Sequence, residues 1–324
     1  MIVESDYHLR GEDMTKKSLW AITIILSVIS IFIGVSDINI LNMGSSEMEV
    51  LIISRFPRLI SILVAGVGMS ISGVIMQQIS NNKFISPTTA ATVDSAKFGV
   101  LFSLIIFTSA NIFQKMMLAF AFSLVGTFIF MIILKKIKIK NVIFIPLVGI
   151  MLGNVIGSIT DFFAYKYNLN QSMKAFLQGN FSTVLKGNYE ILYLSIPLVI
   201  IAFLYVHKFT LAGMGEEMAV SLGLNYKKVT NIGVTIVALI SSLVVITVGS
   251  IPFVGLIIPN IVSIWKGDNL KNNMIIVALL GASFVLACDI ISRIIIAPYE
   301  IPIDLTVGVI GAVIFLYLIF RRNK

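Results

Sequence analysis

The chain reads as an all-α membrane protein with about ten transmembrane helices, and two observations predict it. Hydrophobic residues make up 57% of the sequence and charged residues 12%, roughly half the charged share of an ordinary soluble domain. A water-soluble core has no use for so much apolar surface. The apolar residues are also gathered into uncharged runs, several of them about 18 residues or longer, enough to cross a bilayer as helices.

The first run extends from Ser18 to Ser36. Ahead of it lies a polar tail of mixed charge, residues 1–18, without the basic region or small-residue cleavage site of a removable signal, so the run is expected to persist as the first helix. Leu59 to Asn82 follows. Gly66, Ser70 and Gly73 share one of its faces, where small side chains let neighbouring backbones approach. Gln77 and Gln78 near its end either line a wet cavity or mark the water interface beside Lys83. Thr88 to Thr108 is apolar except for Asp94 and Lys97, one turn apart and able to neutralise each other inside a bundle. Met116–Leu134 and Asn141–Thr160 read as further spans, and Ile191–Val206, Asn272–Cys288 and Leu305–Phe320 as spans near the minimum length. Val229 to Trp265 is about twice the length of one span and is interrupted by Gly249, Pro252 and Pro259, which divides it into two helices joined by a tight turn. Asp289 and Arg293, one turn apart near the outer end of the ninth helix, form either a structural ion pair or part of a pathway.

Basic residues fix the expected orientation. With both termini inside, Lys16, Lys17, Lys135, Lys136, Lys138, Lys140, Lys208, Lys227, Lys228, Arg321 and Arg322 fall on the inner side, while Arg55, Arg58, Lys115, Lys166, Lys174 and Lys186 remain outside. The net charge of +8 is thus a topology signal; no base-stacking aromatic cluster accompanies it, and nucleic acid is not an expected partner. Enzyme classes fail on inspection. The chain has no glycine-rich loop ending in Lys and Ser or Thr, hence no phosphate cradle of its own, no helix with paired His and Glu, and no Ser on a glycine elbow. Cys288 stands alone, which rules out an internal disulfide, and His8 and His207 lie far apart without a ligand set around them. No cofactor is expected to bind this chain.

The inner loop at about residues 207–228 contains AGMGEEMAVSLGLNYKK, from Ala212 to Lys228. It is polar enough to leave the membrane and periodic enough for a short helix. Met218, Ala219 and Leu222 make an apolar stripe, Glu216 and Glu217 suit its N-terminal end, and Gly223 stops it. A stripe of this kind requires a protein partner to cover it, or lies in the lipid interface.

Several motifs in order carry a resemblance: RFPR at Arg55–Arg58, GVIMQQISNNKFISPTTAAT at Gly73–Thr92, GEEMAVSLG at Gly215–Gly223, GSIPFVGLIIPNIV at Gly249–Val262, and the tail from Asp289 through APYEIP to FLYLIFRR. In these the chain resembles the iron-siderophore and cobalamin permease family of ABC importers, closest to the subgroup handling catecholate and petrobactin-type siderophores. The resemblance implies a type II importer permease for ferric siderophores in a bacterial cytoplasmic membrane. It implies pairing with a second permease, identical or paralogous, and with two cytoplasmic ATPase subunits that use the ATP. It also implies an extracytoplasmic siderophore-binding protein. Gly215 to Gly223 would be the coupling helix that docks on the ATPase, and Arg55 and Arg58 would face the binding protein. Cobalamin or haem as cargo, and an ion-coupled secondary transporter using the break at Pro252 and the Asp94–Lys97 pair, stand as alternatives. The chain departs from the family in carrying Asn260 where a His is common, and charged residues at Asp94 and Lys97 where small uncharged ones are usual.

Overall fold

In the computed structural model, which describes residues 2–34, 45–107, 111–136 and 144–322, all regular structure among the described residues is helical. The order is α1 (Ile2–Phe32), α2 (Ser45–Val50), a π-helical turn (Leu51–Arg55), α3 (Phe56–Ile79), α4 (Thr92–Ile106), α5 (Ile112–Lys136), α6 (Phe144–Lys166) and α7 (Asn170–Leu177). A 3-10 turn (Glu190–Leu194) then leads into α8 (Ser195–Leu204), α9 (Val206–Ala212), α10 (Glu216–Ser221), α11 (Tyr226–Val248), α12 (Val254–Lys266), α13 (Leu270–Ile294) and α14 (Ile303–Arg322).

Among the described residues seven stretches are long and apolar enough to cross a membrane: Met14–Phe32, Met48–Ile79, Ile112–Leu134, α6, α11, α13 and Ile303–Phe320. The run expected at Ile191–Val206 is an eighth, bent by 63° between α8 and α9. Shorter helices α4 and α12 occupy the two remaining expected places. The polar tail is continuous with the first span, since α1 is helical from Ile2. The run ends expected at Ser36, Thr108 and Asn141 lie outside the described residues.

The long run breaks where its sequence demands it. Gly249, at φ +87°, closes α11, and Phe253, at φ +63°, opens α12. Segment 249–253 is not loose: Ser250 N–H donates to Leu177 O at 3.1 Å and Asn180 N–H to Val248 O at 2.8 Å. This reciprocal pair pins the break to the chain just after α7.

Helices α3, α11 and α13 are buried over most of their length, whereas α1, α6 and α14 are mostly exposed. The inner group is packed through small residues, as the face of Gly66, Ser70 and Gly73 predicts. A Cβ added at Gly66 would lie 2.8 Å from Gly281 O on α13, and Gly73 abuts Gly255 on α12. Apolar side chains gain little by association in lipid, so close backbone approach and hydroxyl pairs hold such a bundle. Thr23 pairs with Ser283 at 2.7 Å between α1 and α13, Thr92 with Thr127 at 2.7 Å between α4 and α5, and Ser123 with Ser242 at 3.0 Å between α5 and α11.

A Gly73→Leu substitution therefore forces α3 and α12 apart. It is expected to cost ~3 kcal/mol or more, measured as a lowered thermal unfolding midpoint in detergent, whereas Val309→Leu on the exposed face of α14 leaves the midpoint unchanged.

Candidate functional site

At one end of the bundle, where α3 begins and α13 ends, residues far apart in sequence form one buried charge cluster. Asp289, on α13, is 1% exposed. Its Oδ1 accepts from Arg58 Nη2 at 2.7 Å and its Oδ2 lies 2.5 Å from Arg293 Nη2. Arg58 extends its other amino group to Glu300, at 2.8 and 2.9 Å from the two carboxylate oxygens. Arg293 also donates to Ser30 O at 2.8 Å and Ile33 O at 2.6 Å, and Arg55 donates to the same Ile33 carbonyl at 2.5 Å. These carbonyls, at and just beyond the C-terminus of α1, are left open by helical geometry, and the cations suit the negative end of the helix dipole. The expected Asp289–Arg293 ion pair is present and belongs to this larger cluster.

The expectation that Arg55 and Arg58 face outward toward a partner differs from this geometry. Both are buried, at 8% and 7% exposure, and their guanidinium groups are committed to internal acceptors. The reason is α13: a carboxylate at Asp289 with almost no water around it requires cationic partners, and the start of α3 supplies one. Glu300 went unnoticed in the sequence because nothing local links it to Arg58.

The opposite, C-terminal end of α3 is joined to the loop carrying α10. Asn81, in a left-handed conformation at φ 51°, has its side-chain amide between Gly213 and Gly215; it donates to Gly213 O and accepts from Gly215 N–H at 3.0 Å. Gln78 packs over Gly213, and the Tyr226 hydroxyl donates to Ile79 O at 3.1 Å. Gln77 is buried beside a small polar cavity that Gln78, Lys83 and Asn273 also line. The two glutamines thus sit at an internal junction.

The loop helix matches its expected limits. Gly215, at φ +99°, precedes it and Gly223, at φ +82°, follows it. Glu216 and Glu217 are exposed in its first turn. The stripe divides differently from the expectation: Ala219 is fully buried against the chain, while Met218 and Leu222 are 55% exposed, joined by Met214 and Val220. Four large apolar side chains around one short helix are thus each more than half exposed among the described residues.

A third group lies along α6. Asp94 and Lys97 form their expected pair at 3.3 Å, partly buried, with Asp94 against Gly153 of α6. One residue round the helix, Asn154 is exposed near the middle of the span, with Ser158 and Asp161 exposed on the following turns. Mid-span amides and carboxylates do not face hydrocarbon; they face water or another protein surface. The signal was present in the sequence as polar or small residues at positions 153, 154, 157, 158 and 161, overlooked because a hydropathy average hides them.

The model of the FecCD transport family matches residues 22–321. The petrobactin import system permease protein YclN of Bacillus subtilis (strain 168) is 59% identical over 313 residues, covering 96% of this chain and 99% of that protein. A petrobactin import system permease protein of Bacillus anthracis is 36% identical over 326 residues, covering 100% and 96%. Among solved structures, an inward-facing conformation described as a metal-chelate type ABC transporter superposes with a TM-score of 0.79 at 23% identity, covering 94% of this chain and 98% of that one.

The shared carboxylate and the rim carboxylate differ in consequence. Asp289→Asn leaves two buried guanidinium groups short of charge and is expected to destabilise the protein by ~3 kcal/mol or more. Glu300→Gln, at the more exposed edge of the cluster, is expected to cost about 1 kcal/mol or less. Thermal unfolding of both variants in detergent checks the order.

Proposed function

This chain belongs to the FecCD transport family, and on that premise we propose that it is the permease subunit of an ATP-driven importer for a ferric siderophore of the petrobactin class. The cargo assignment rests on the relatives at 59% and 36% identity, both named as petrobactin import permeases. The observation that carries the mechanism is the uncovered apolar surface of α10, held by Asn81 and Tyr226 to the end of α3.

In this reading both termini lie in the cytoplasm of a bacterial cell and α10 docks on one of two ATPase subunits, which bind and hydrolyse the ATP; this chain holds no cofactor. Met214, Met218, Val220 and Leu222 enter the docking groove, and Glu216 and Glu217 rim it. Movement of α10 is passed through Asn81 and Tyr226 to α3, and alternation between outward- and inward-open states follows from the shift of α3 against its neighbours. A second permease, identical or paralogous, covers the polar stripe of α6, so that Asn154, Ser158 and the adjoining Asp94–Lys97 pair border the path between the two chains. Contact with the extracytoplasmic binding protein falls at the corner of Arg55 and Arg58, through Glu300 and the exposed Ile295, Ile296 and Tyr299. Lipid covers the apolar remainder of α1 and α14. An ion-coupled transporter would leave the exposed surface of α10 without a purpose.

Cells lacking this gene, and any redundant permease, are expected to lose uptake of radio-iron petrobactin-type chelate and to regain it with the wild-type gene. Met218→Asp with Leu222→Asp is expected to leave the protein in the membrane with uptake reduced to about a tenth or less, because docking would desolvate two charges. In the reconstituted transporter, Asn81→Ala is expected to raise severalfold the ATP hydrolysed per chelate carried. Unchanged uptake of every ferric chelate in the deleted strain would refute the importer reading.

A further inference from the structure

The outer surface carries a second feature that neither the charge cluster nor the α6 stripe uses. A cavity of about 410 Å3 opens between the start of α5, the end of α7 and the end of α11. Its lining includes Lys115, Phe176, Gln178, Thr183, Asn188 and Thr247, and no carboxylate. Lys115 Nζ sits 4.3 Å from the centre of the Phe176 ring, which orients the ammonium and leaves its remaining N–H groups free to donate. The side-chain amides of Gln178 and Asn188 have no partner among the described residues. One wall is rigid, because the Val248–Ser250 backbone is hydrogen-bonded to residues 177–180, and Gly249 lies where a Cβ would come 2.6 Å from Gln178 O.

We propose that this cavity is an outer receiving subsite for one anionic arm, a carboxylate or a catecholate, of the ferric chelate. Three elements bring an oriented cation and the solvent-accessible amides of Gln178 and Asn188 to one concavity whose lining, among the described residues, holds no carboxylate, which is the donor set that oxyanions select. The volume suits one chelating arm, leaving the iron-bearing body outside it. In the chain, α7, whose end lines the cavity, directly follows α6, which carries the stripe of Asn154, Ser158 and Asp161. Lys115 acts by holding the arm, with no bond made or broken. The inference rests on the chelate-importer reading.

The test uses the permease assembled with its second subunit, ATPases and binding protein in liposomes. Amine-reactive labelling is followed by mass spectrometry at Lys115, with the exposed Lys186 outside the cavity as reference. An anionic ferric catecholate–hydroxycarboxylate chelate is expected to slow labelling of Lys115 about fivefold or more without affecting Lys186, and a neutral ferric trihydroxamate to protect neither. Lys115→Met is expected to raise the half-saturating concentration for uptake of the anionic chelate about tenfold, and Lys115→Arg to stay near wild type. Equal protection by the neutral chelate, no protection, or unchanged uptake in Lys115→Met overturns the subsite. Protection that follows anionic phospholipid content and not the chelate overturns it in favour of a lipid headgroup. Wild-type liposomes that carry no ferric chelate would bring down the importer reading itself, whereas transport with Lys115 unprotected removes only the subsite.

Discussion

Asp289 is shared by two guanidinium groups in a volume nearly free of water, and one end of the helix bundle is organised around that sharing. Separating one partner from the carboxylate would strand a charge in a low-dielectric interior, at a cost of several kcal/mol. The start of α3, the end of α13 and the loop bearing Glu300 are thereby constrained to move together. Helix α1, whose exposed surface offers little packing, is held to the same unit by the carbonyls it presents to Arg55 and Arg293. Burying so much charge is poor economy for stability alone. It gives an outer corner whose geometry is set by directional bonds.

At the other end α3 is held by a different chemistry. Neutral amides and a phenol, from Asn81, Gln78 and Tyr226, tie it to the loop of α10. Such bonds are directional and are each worth far less than the buried ion pairs. A rod fixed strongly at one end and hydrogen-bonded at the other responds to force from the weaker end. Between the two ends, Gly66 and Gly73 bring the α3 backbone close against α13 and α12. In the proposed transporter the junction with the α10 loop is the end of α3 that shifts, and the ion cluster is the end that stays closed.

The helices were legible because hydropathy acts locally: each run is long enough to choose helix before it has any neighbour, and Gly249 and Pro252 mark the break by backbone chemistry alone. The small-residue face of α3 was legible for the same reason. What the sequence could not reveal depends on partners more than two hundred positions apart. Arg58 reads as a surface cation until Asp289 and Glu300 are placed beside it, 231 and 242 residues later. Met218 and Leu222 of the α10 stripe are exposed as expected, and only Ala219 turns inward: in so short a helix it differs from Met218 by one position, and the docked loop decides which side it takes. Asn154 was hidden by its apolar neighbours, since a mean over a span weighs one amide against many leucines and isoleucines.

Asn260 shows how a departure from a family pattern is absorbed physically. Pro259 removes the N–H that would bond Gly255 O within α12, and that carbonyl lies against Gly73 of α3, where only a residue without a Cβ fits. The side chain of Asn260 then donates to Leu256 O and to Lys83 O, both at 2.7 Å. Lys83 itself reaches Ser263 at 2.8 Å and Asp268 at 2.6 Å. A histidine at this position would titrate near neutral pH, whereas an amide does not. The segment after α3 is therefore fastened to α12 by a neutral side chain whose hydrogen bonds persist across the physiological pH range. Asn260 itself therefore offers no proton-binding group at this position.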